Sequence, residues 1–152
     1  MHSTVLISGA SSGVGEAIAY ECVRRGAKRL FLGGRNAERL SAVAAKCRGI
    51  SAAVTVHTDI VDVTDETATR AWVENSNAVA PLDLVFANAG VATGVESEAN
   101  IRTTFATNVG GVLNVSLPAI AAFRKNKESS SHNCSLFPVP CSLVLTASIA
   151  GY

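Results

Sequence analysis

The sequence predicts an α/β fold of the Rossmann type, in which one doubly wound parallel sheet carries helices on both faces. Strand patterns and helix patterns alternate along the 152 residues, which is the order of a parallel sheet with crossover helices. Apolar residues make up 48% of the chain and charged residues only 16%, as expected for strands buried on both faces. A glycine-rich turn joins the first strand to the first helix. These observations predict the strand order 3-2-1-4-5, with right-handed crossovers.

Each predicted strand is a short apolar or β-branched run that ends in a turn signal. The runs are residues 4–8, 29–32, 52–60, 83–87 and 142–147. Each predicted helix has apolar residues at helical spacing and most have a capping residue at one end. The helices are residues 14–25 with Gly26 as C-cap, about 36–47 with Asn36 as N-cap, about 65–76 with Asp65 as N-cap, and about 96–123. Elements of this number and length suit a single domain over residues 1–152.

Three finer expectations concern the later helices and the segment that follows them. In the third helix, the spacing of Ala68, Ala71 and Trp72 predicts that these residues face inward. In the fourth, Pro118 should kink the helix, because proline removes a backbone hydrogen bond. The polar stretch 124–141, with three consecutive serines and two prolines, is predicted to be a flexible surface loop.

Charge and apolar patterning argue against several function classes. A net charge of +1 gives no electrostatic reason to expect a nucleic-acid or anionic-membrane partner. The four cysteines lack metal-site spacing, so no metal is expected. The most apolar stretch, residues 109–123, is interrupted by Asn114, Ser116 and Pro118, and we expect it to be too short and too polar to span a bilayer. The sequence shows no signal-peptide pattern, so we expect a cytoplasmic protein, with an organelle matrix as the alternative.

The turn after the first strand has the chemistry of a phosphate site. Gly9 suits a tight strand-to-helix turn, Gly13 lets a pyrophosphate approach the backbone, and Gly15 lets the helix pack on the sheet. The start of the helix then offers free N–H groups and a positive dipole end. A glycine triplet between an apolar strand and an amphipathic helix predicts dinucleotide binding rather than a purely structural turn.

The motifs of this chain resemble those of the short-chain dehydrogenase/reductase family, classical type. The spacing Gly-x-x-x-Gly-x-Gly after Ser8 is similar to the family's Thr-Gly-x-x-x-Gly-x-Gly. Ala87-Asn88-Ala89-Gly90 is similar to Asn-Asn-Ala-Gly, with Ala in place of the first Asn. The residues from Thr146 to Gly151 resemble the family's Ser-Ser-x-Ala-Gly. The resemblance covers essentially the whole chain, and it implies an oxidoreductase that uses a nicotinamide dinucleotide and acts on a small-molecule carbonyl or alcohol.

The resemblance also implies which residues hold the cofactor. They come from the glycine turn, the end of the second strand, the loop after the third and the motif after the fourth, and they are Gly9, Ser11, Ser12, Gly13, Val14, Gly15, Arg35, Asp62, Val63, Asn88, Ala89 and Gly90. The end of the second strand has no acid before Glu38, and an acid there would hold a ribose 2′-hydroxyl. Arg35 instead implies pairing with a 2′-phosphate, so NADP(H) is preferred over NAD(H). Ser12 stands where some NADP-preferring relatives carry a basic residue, so that second signal is missing.

Two aspartates compete for the adenine. In the family, an acid after the third strand accepts a hydrogen bond from the adenine amino group, and Asp62-Val63 is similar to that pair. Asp59-Ile60 has the same shape three residues earlier and is the alternative. One of the two carboxylates could instead simply cap the next helix. We favour Asp62.

The catalytic residues that the resemblance implies are Asn108 and Ser148. Asn108 corresponds to the helix asparagine that holds a water in the proton relay, and Ser148 to the serine that polarises the substrate carbonyl. The family's Tyr-x-x-x-Lys, in which the lysine lowers the pKa of the tyrosine, has no counterpart, and Tyr152 is not assigned to that role. The family's sixth and seventh strands have no counterpart either, so we expect the N-terminal part of a longer reductase. The alternative is a dinucleotide-binding module or an inactive fragment.

The resemblance also implies a homo-oligomer, because oligomers are usual in the family and are built largely from the helix that carries Asn108. The apolar residues of that helix can serve the core, a partner or both, and they are Val109, Val112, Leu113, Leu117 and Ile120. The sequence leaves these alternatives open.

Overall fold

The computed structural model describes residues 3–92, 97–131 and 141–146. The strands are β1 (Thr4–Ser8), β2 (Arg29–Gly34), β3 (Thr55–Ile60), β4 (Leu84–Ala87) and β5 (Ser142–Leu145). The helices are α1 (Gly13–Arg24), α2 (Ala37–Ile50), α3 (Glu66–Val79), α4 (Glu98–Phe105) and α5 (Val112–Ser131), and a π-helical turn (Ala106–Gly111) joins the last two. Apart from the end of α5, these bounds lie close to the predicted ones.

The strands form one parallel sheet in the order β3-β2-β1-β4-β5, which confirms the predicted fold class and topology. β1 lies at the centre, with Leu6 in register with Phe31 of β2 and Val85 of β4. The chain order reverses at β1, because β2 and β3 lie on one side of it and β4 and β5 on the other. In such sheets a ligand crevice opens beyond the carboxyl ends of the strands at this point.

Alternate residues of β1 belong to two separate core layers. Val5 and Ile7 pack with residues of α1 and α2 in one layer. Leu6 packs with residues of α3 and α5 in the other. Successive side chains of a strand point to opposite faces, so a strand buried on both faces is apolar throughout its middle. The two layers hold the sheet between helices and leave the carboxyl ends of the strands as the place where a site can form.

The inward face of α3 differs in part from the prediction. Trp72 is buried as predicted, but Ala68 and Ala71 are exposed, and Thr69 and Val73 take the inward positions. Alanine loses little on either face, so its place in a helical pattern is a weak guide to burial. Thr69 can be fully buried because its hydroxyl donates to a backbone carbonyl oxygen of the preceding loop, at 3.3 Å.

The prediction of a loop over 124–141 is wrong for residues 124–131, because α5 continues to Ser131. No proline or glycine interrupts this segment, and polar composition alone does not prevent a helix. Asn126 anchors the segment: its side chain and that of Asn77 on α3 exchange hydrogen bonds of 2.9 and 3.1 Å. Residues 132–140 lie outside the described residues.

The helix predicted over about 96–123 consists of α4, the π-helical turn and α5. Gly111 closes the π-helical turn and lies against the loop after β3, where a Cβ at Gly111 would lie 2.5 Å from Val63 Cγ2. Pro118 lies inside α5, as predicted. Single π-helical turns inside helices occur frequently at functional sites.

The helical stretch Glu98–Glu128 is long and apolar enough, by length and composition alone, to cross a membrane. The expectation that residues 109–123 are too short and too polar is therefore not met. This helical stretch is 31 residues long, and its most apolar window has a mean hydropathy of 1.3 and is 39% buried. Core helices of soluble proteins pass the same test, and Val115 and Ala119 of this stretch are fully buried in the core.

The apolar residues of this stretch whose role the sequence left open lie mostly outside the core. Val112 is partly buried against the core, and the exposed ones are Val109, Leu113, Leu117 and Ile120. The core of α5 is built from Val115 and Ala119 instead. A row of exposed apolar side chains is typical of surfaces through which proteins associate.

Candidate functional site

A cavity of about 980 Å³ lies at the carboxyl ends of the strands. Six segments of the chain border it: the four stretches that follow β1, β2, β3 and β4, the π-helical turn with the start of α5, and the end of β5. Nearly all of the predicted site residues line it: Gly9, Ser11, Ser12, Gly13, Val14, Arg35, Asp62, Val63, Asn88, Ala89, Gly90 and Asn108. Gly15 lies beneath the lining rather than in it, and Ser148 lies outside the described residues. Segments distant in sequence therefore meet at the predicted crevice.

The turn between β1 and α1 has the backbone conformation that glycine favours. Gly9 has φ +69° and Gly13 has φ +60°, both in the left-handed region. A Cβ at Gly9 would lie 2.7 Å from the Cα of Ala89, whereas a Cβ at Gly13 would meet nothing within 4 Å. A Cβ at Gly15 would collide with the carbonyl oxygen of Gly9. Gly9 and Gly15 thus permit close packing, and Gly13 leaves open space at the start of α1.

Ser8 joins this turn to the loop after β4. Its hydroxyl oxygen accepts hydrogen bonds from the backbone N–H groups of Asn88, at 3.0 Å, and Ala89, at 3.1 Å. The same hydroxyl donates to the carbonyl oxygen of Phe86, at 3.3 Å. Ser8 is only 1% exposed, so these groups depend on each other rather than on water. The serine that replaces the family's usual threonine retains the hydroxyl that this junction needs.

Asn88 carries a polar atom without a partner. Its side-chain amide nitrogen donates to the carbonyl oxygen of Ser8, at 3.3 Å. Its Oδ1 is buried and accepts no hydrogen bond from any described residue. A buried acceptor without a donor is energetically costly, and in a cavity wall it suits a ligand that brings a hydroxyl donor. The cavity wall thus combines open space at Gly13 with an unpartnered acceptor at Asn88, two features that suit a ligand with phosphate and hydroxyl groups.

The start of α2 brings basic side chains to the cavity. Arg35, Asn36 and Arg39 line it, and the Asn36 side chain accepts a 2.8 Å hydrogen bond from the backbone N–H of Arg39, which confirms Asn36 as the N-cap. Gly34 lies against Ser11, since a Cβ at Gly34 would lie 3.3 Å from Ser11 Oγ. The end of β2 therefore presents positive charge to the cavity.

Asp62 lines the same cavity as Arg35, and its carboxylate carries a charge of the opposite sign. Its Oδ1 accepts hydrogen bonds from the backbone N–H of Thr64, at 3.0 Å, and from the Thr64 hydroxyl, at 2.8 Å. These bonds lower the pKa of the Asp62 carboxyl, and the charge of Arg35 adds to the shift. Asp59, the alternative at the sequence level, accepts a 3.1 Å hydrogen bond from the indole of Trp72 and is not part of the lining.

The Asp62-Val63 loop is held by two side chains that sequence reasoning missed. The Asn114 side chain donates to the carbonyl oxygen of Val63, at 2.9 Å. The Thr69 hydroxyl donates to the carbonyl oxygen of Asp62, at 3.3 Å. An asparagine in the middle of an apolar helix is a signal that could have indicated such a contact, because its amide needs a partner.

Asn108 lies in the π-helical turn and holds the loop after β4. Its Oδ1 accepts a hydrogen bond from the backbone N–H of Val91, at 2.8 Å, and its Nδ2 donates to the carbonyl oxygen of Val91, at 2.9 Å. The oxygen and the nitrogen of the Asn108 side-chain amide are thus both bonded to the backbone of Val91. The arrangement makes Asn108 a support for the cavity wall.

Comparison with known proteins agrees with the family that the sequence motifs indicate. Residues 3–131 match the family model of the short chain dehydrogenases, which confirms the resemblance. A serine 3-dehydrogenase of Agrobacterium fabrum is 34% identical over 133 residues, which cover 84% of this chain and 51% of that protein. A 3-dehydrosphinganine reductase of Arabidopsis thaliana is 32% identical over 136 residues, which cover 87% of this chain and 40% of that protein. The chain spans about half the length of the curated relatives it matches.

Solved structures with the same fold include several dehydrogenases and reductases. Levodione reductase superimposes with a TM-score of 0.80 and 26% identity, over 96% of this chain and 54% of that one. An alcohol dehydrogenase of Thermococcus sibiricus, complexed with 5-hydroxy-NADP, gives 0.73 and 25%, over 90% and 62%. An NAD+-bound xylitol dehydrogenase shares the fold, with a TM-score of 0.79, 23% identity and coverage of 98% and 54%.

The junction at Ser8 makes a prediction about stability. We expect Ser8→Ala to lower the free energy of unfolding by about 2–3 kcal/mol, because two partly buried backbone N–H groups lose their acceptor. Ser8→Thr keeps the hydroxyl and is the matched control, expected within about 1 kcal/mol of the wild type. Urea denaturation measures both. Equal stability of Ser8→Ala and the wild type would show that the hydroxyl is dispensable.

Proposed function

The chain belongs to the short-chain dehydrogenase family, and from this premise we propose that it is an NADP(H)-dependent oxidoreductase of small carbonyl or alcohol compounds. The observation that carries the proposal is the glycine turn, whose left-handed Gly9 and Gly13 open a cavity at the point where the strand order reverses. The relatives support the reaction class, because they include proteins named as dehydrogenases and reductases.

The start of α1 suits the pyrophosphate of such a cofactor. Ser12 is the N-cap, yet its side chain makes no capping hydrogen bond, so its hydroxyl and the first N–H groups of the helix are left for a ligand. Gly13 leaves the space through which a phosphate reaches them. Asn88 Oδ1 would accept a hydrogen bond from a ribose hydroxyl and so gain the partner that it lacks.

The bound nicotinamide would supply a hydride to a carbonyl carbon, or accept one from an alcohol. We assign Ser148, which lies outside the described residues, to orienting and polarising the substrate carbonyl. Asn108 acts as a positioning residue, because its amide is engaged with Val91 and fixes the loop that begins with the cofactor motif. In this assignment the side chain of Asn108 shapes the cavity rather than meeting the substrate.

The reaction itself is tested with a panel of small aldehydes and ketones and the full chain of the protein. In a chain that also carries the family's Tyr-x-x-x-Lys, whose tyrosine supplies the proton, we expect NADPH-dependent reduction of at least one of them, and a loss of kcat of about a hundredfold in Ser148→Ala, because the carbonyl is no longer polarised. The dissociation constant of NADPH should stay within twofold, since the role assigned to Ser148 is toward the substrate carbonyl. Unchanged turnover in Ser148→Ala would contradict its role.

The choice of NADP(H) over NAD(H) rests on the end of β2. Solved relatives with this fold are complexed with either type of cofactor, so the argument comes from this chain. At Gly34 there is no carboxylate for a ribose 2′-hydroxyl, and the next residue, Arg35, lines the cavity. A planar guanidinium forms paired hydrogen bonds with a phosphate, which favours the 2′-phosphate of NADP(H).

Arg35→Ala tests this choice. We expect the dissociation constant of NADPH to rise about tenfold, because a charge-assisted hydrogen bond is lost, while that of NADH stays within twofold. Fluorescence titration measures both. Arg24→Ala, an exposed arginine on α1 outside the cavity lining, is the control and should change neither value. An unchanged NADPH value in Arg35→Ala would refute the phosphate assignment.

We assign the adenine amino group to Asp62 rather than to Asp59. The hydrogen bonds from Thr64 keep the Asp62 carboxyl ionised, so its unengaged oxygen is free to accept. Because its pKa is lowered, this contribution should persist through neutral and mildly acidic pH and disappear only as the pH falls below that lowered pKa.

Substitution by asparagine distinguishes the two aspartates. Asp62→Asn should raise the dissociation constants of NADPH and NADH alike, by about threefold to tenfold, because both carry the same adenine. Asp59→Asn is the matched control and should leave both within twofold, since Asp59 bonds Trp72 outside the cavity lining. Equilibrium titration at pH 7 decides between them. The reverse pattern would assign the adenine to Asp59.

A further inference from the structure

We propose that Asn114 is a positioning residue that places the Asp62 carboxylate for the adenine, although it lies on α5 and does not line the cavity. It acts through one peptide unit, the unit between Val63 and Thr64. The Asn114 side chain donates to the carbonyl oxygen of this unit, at 2.9 Å, and the N–H of the same unit donates to Asp62 Oδ1, at 3.0 Å. The role of Asp62 toward adenine rests on the proposed function, but the two hydrogen bonds belong to the chain itself.

The peptide unit between Val63 and Thr64 passes a constraint from one of its sides to the other. It is planar and trans, so its carbonyl oxygen and its N–H point in opposite directions, and fixing one fixes the other. Hydrogen bonds in a chain also polarise one another, so the bond from Asn114 strengthens the bond from the Thr64 N–H to Asp62. Rotation of this unit would break both hydrogen bonds, and Asn114 therefore opposes that rotation.

Asn114 ties this peptide unit to an element that is distant in sequence. The preceding carbonyl oxygen, that of Asp62, is held from the α3 side, by the backbone N–H of Asp65 at 3.0 Å and the Thr69 hydroxyl at 3.3 Å. The carbonyl oxygen of Val63 is held from α5 instead, by Asn114. Removal of the Asn114 amide would thus release the peptide unit that bonds Asp62 and leave the contacts from the α3 side in place.

The packing of α5 against the loop brings Asn114 within reach of Val63. A Cβ at Gly111, three residues before Asn114, would lie 2.5 Å from Val63 Cγ2 and 3.6 Å from the Val63 carbonyl oxygen. The missing side chain at Gly111 therefore lets the loop lie directly against the helix. Val63 is only 5% exposed and belongs to the core layer that contains Val115 and Ala119 of α5. An amide beside this apolar layer is costly without a partner, and the Val63 carbonyl oxygen supplies that partner.

The carboxyl of Asp62 reports whether the peptide unit is in place. The hydrogen bond from the backbone N–H of Thr64 is the largest of the causes that lower the pKa of Asp62, followed by the Thr64 hydroxyl, with the charge of Arg35 adding to them. Asn114→Leu removes the donor to Val63 and leaves the Thr64 hydroxyl and Arg35 unchanged. Hydrogen bonds to the ionised carboxylate favour that form, so a weaker backbone bond raises the pKa toward its ordinary value.

The first test follows the Asp62 carboxyl by carbon-13 NMR in the full chain without ligand, with Asp62→Asn used to assign the signal. We expect a higher pKa of Asp62 in Asn114→Leu than in the wild type. Asn114→Ala removes the same donor with a smaller side chain and should give the same direction. Asn126→Leu is the matched control, because Asn126 is an α5 asparagine whose amide bonds Asn77 outside the cavity lining, and it should leave the pKa of Asp62 unchanged. An unchanged pKa in both Asn114 variants would overturn the inference.

The second test measures the dissociation constant of NADPH for Asn114→Leu in the wild-type and Asp62→Ala backgrounds, with circular dichroism to check folding. We expect about a threefold rise in the wild-type background and less than about 1.5-fold in the Asp62→Ala background, where no carboxylate is left to position. NADH should follow NADPH, because both carry the adenine. Equal losses in the two backgrounds, or the same loss in Asn126→Leu, would show a merely structural role and overturn the inference. A wild type that binds neither NADPH nor NADH would refute the proposed function instead, and the NMR titration would still decide the role of Asn114.

Discussion

The close approach of two backbone turns, one after β1 and one after β4, is the constraint on which the rest of the site depends. Gly9 and Gly15 make it sterically feasible. A Cβ at Gly9 would collide with the backbone of Ala89 in the opposing turn, and a Cβ at Gly15 would collide with the carbonyl oxygen of Gly9 in its own turn. The Ser8 hydroxyl then ties the turns together by bonding three backbone groups of β4 and its loop. Because the turns after β1 and β4 are held together, residues of both turns line one cavity.

Close packing also fixes the elements that lie behind the cavity. A Cβ at Gly33 would lie 2.5 Å from the Trp72 ring, so this glycine lets α3 sit tightly on β2. Gly111 plays the corresponding part between α5 and the loop after β3. These contacts leave the Asp62 loop little freedom, and Asn114 and Thr69 fix its backbone carbonyls. A site that must recognise a large ligand is thus built from loops whose backbone is held by side chains outside the cavity.

The parts of this structure that were predictable from sequence are those whose physics is local. The glycine turn, the caps at Asn36 and Asp65 and the apolar strands depend on residues a few positions apart, and the structure has them where the pattern indicates. The contact of Asn114 with Val63 joins residues 51 positions apart, and no local pattern encodes that distance. The loop prediction for residues 124–131 fails for the same reason. Their polarity is typical of a loop, but Asn126 is held in a helix by a hydrogen bond to Asn77, 49 positions away.

The electrostatics of the cavity follow from the order in which the chain visits it. The positive start of α1 comes from the first crossover, Arg35 from the loop that begins the second, and Asp62 from the loop that begins the third. In a parallel sheet each crossover returns to the same edge, so consecutive segments deliver their charges side by side. The proposed cofactor carries a pyrophosphate, a ribose phosphate and an adenine amino group in sequence along its own length. The order of these groups in the proposed cofactor therefore mirrors the order of the neighbouring strands β1, β2 and β3 in the sheet.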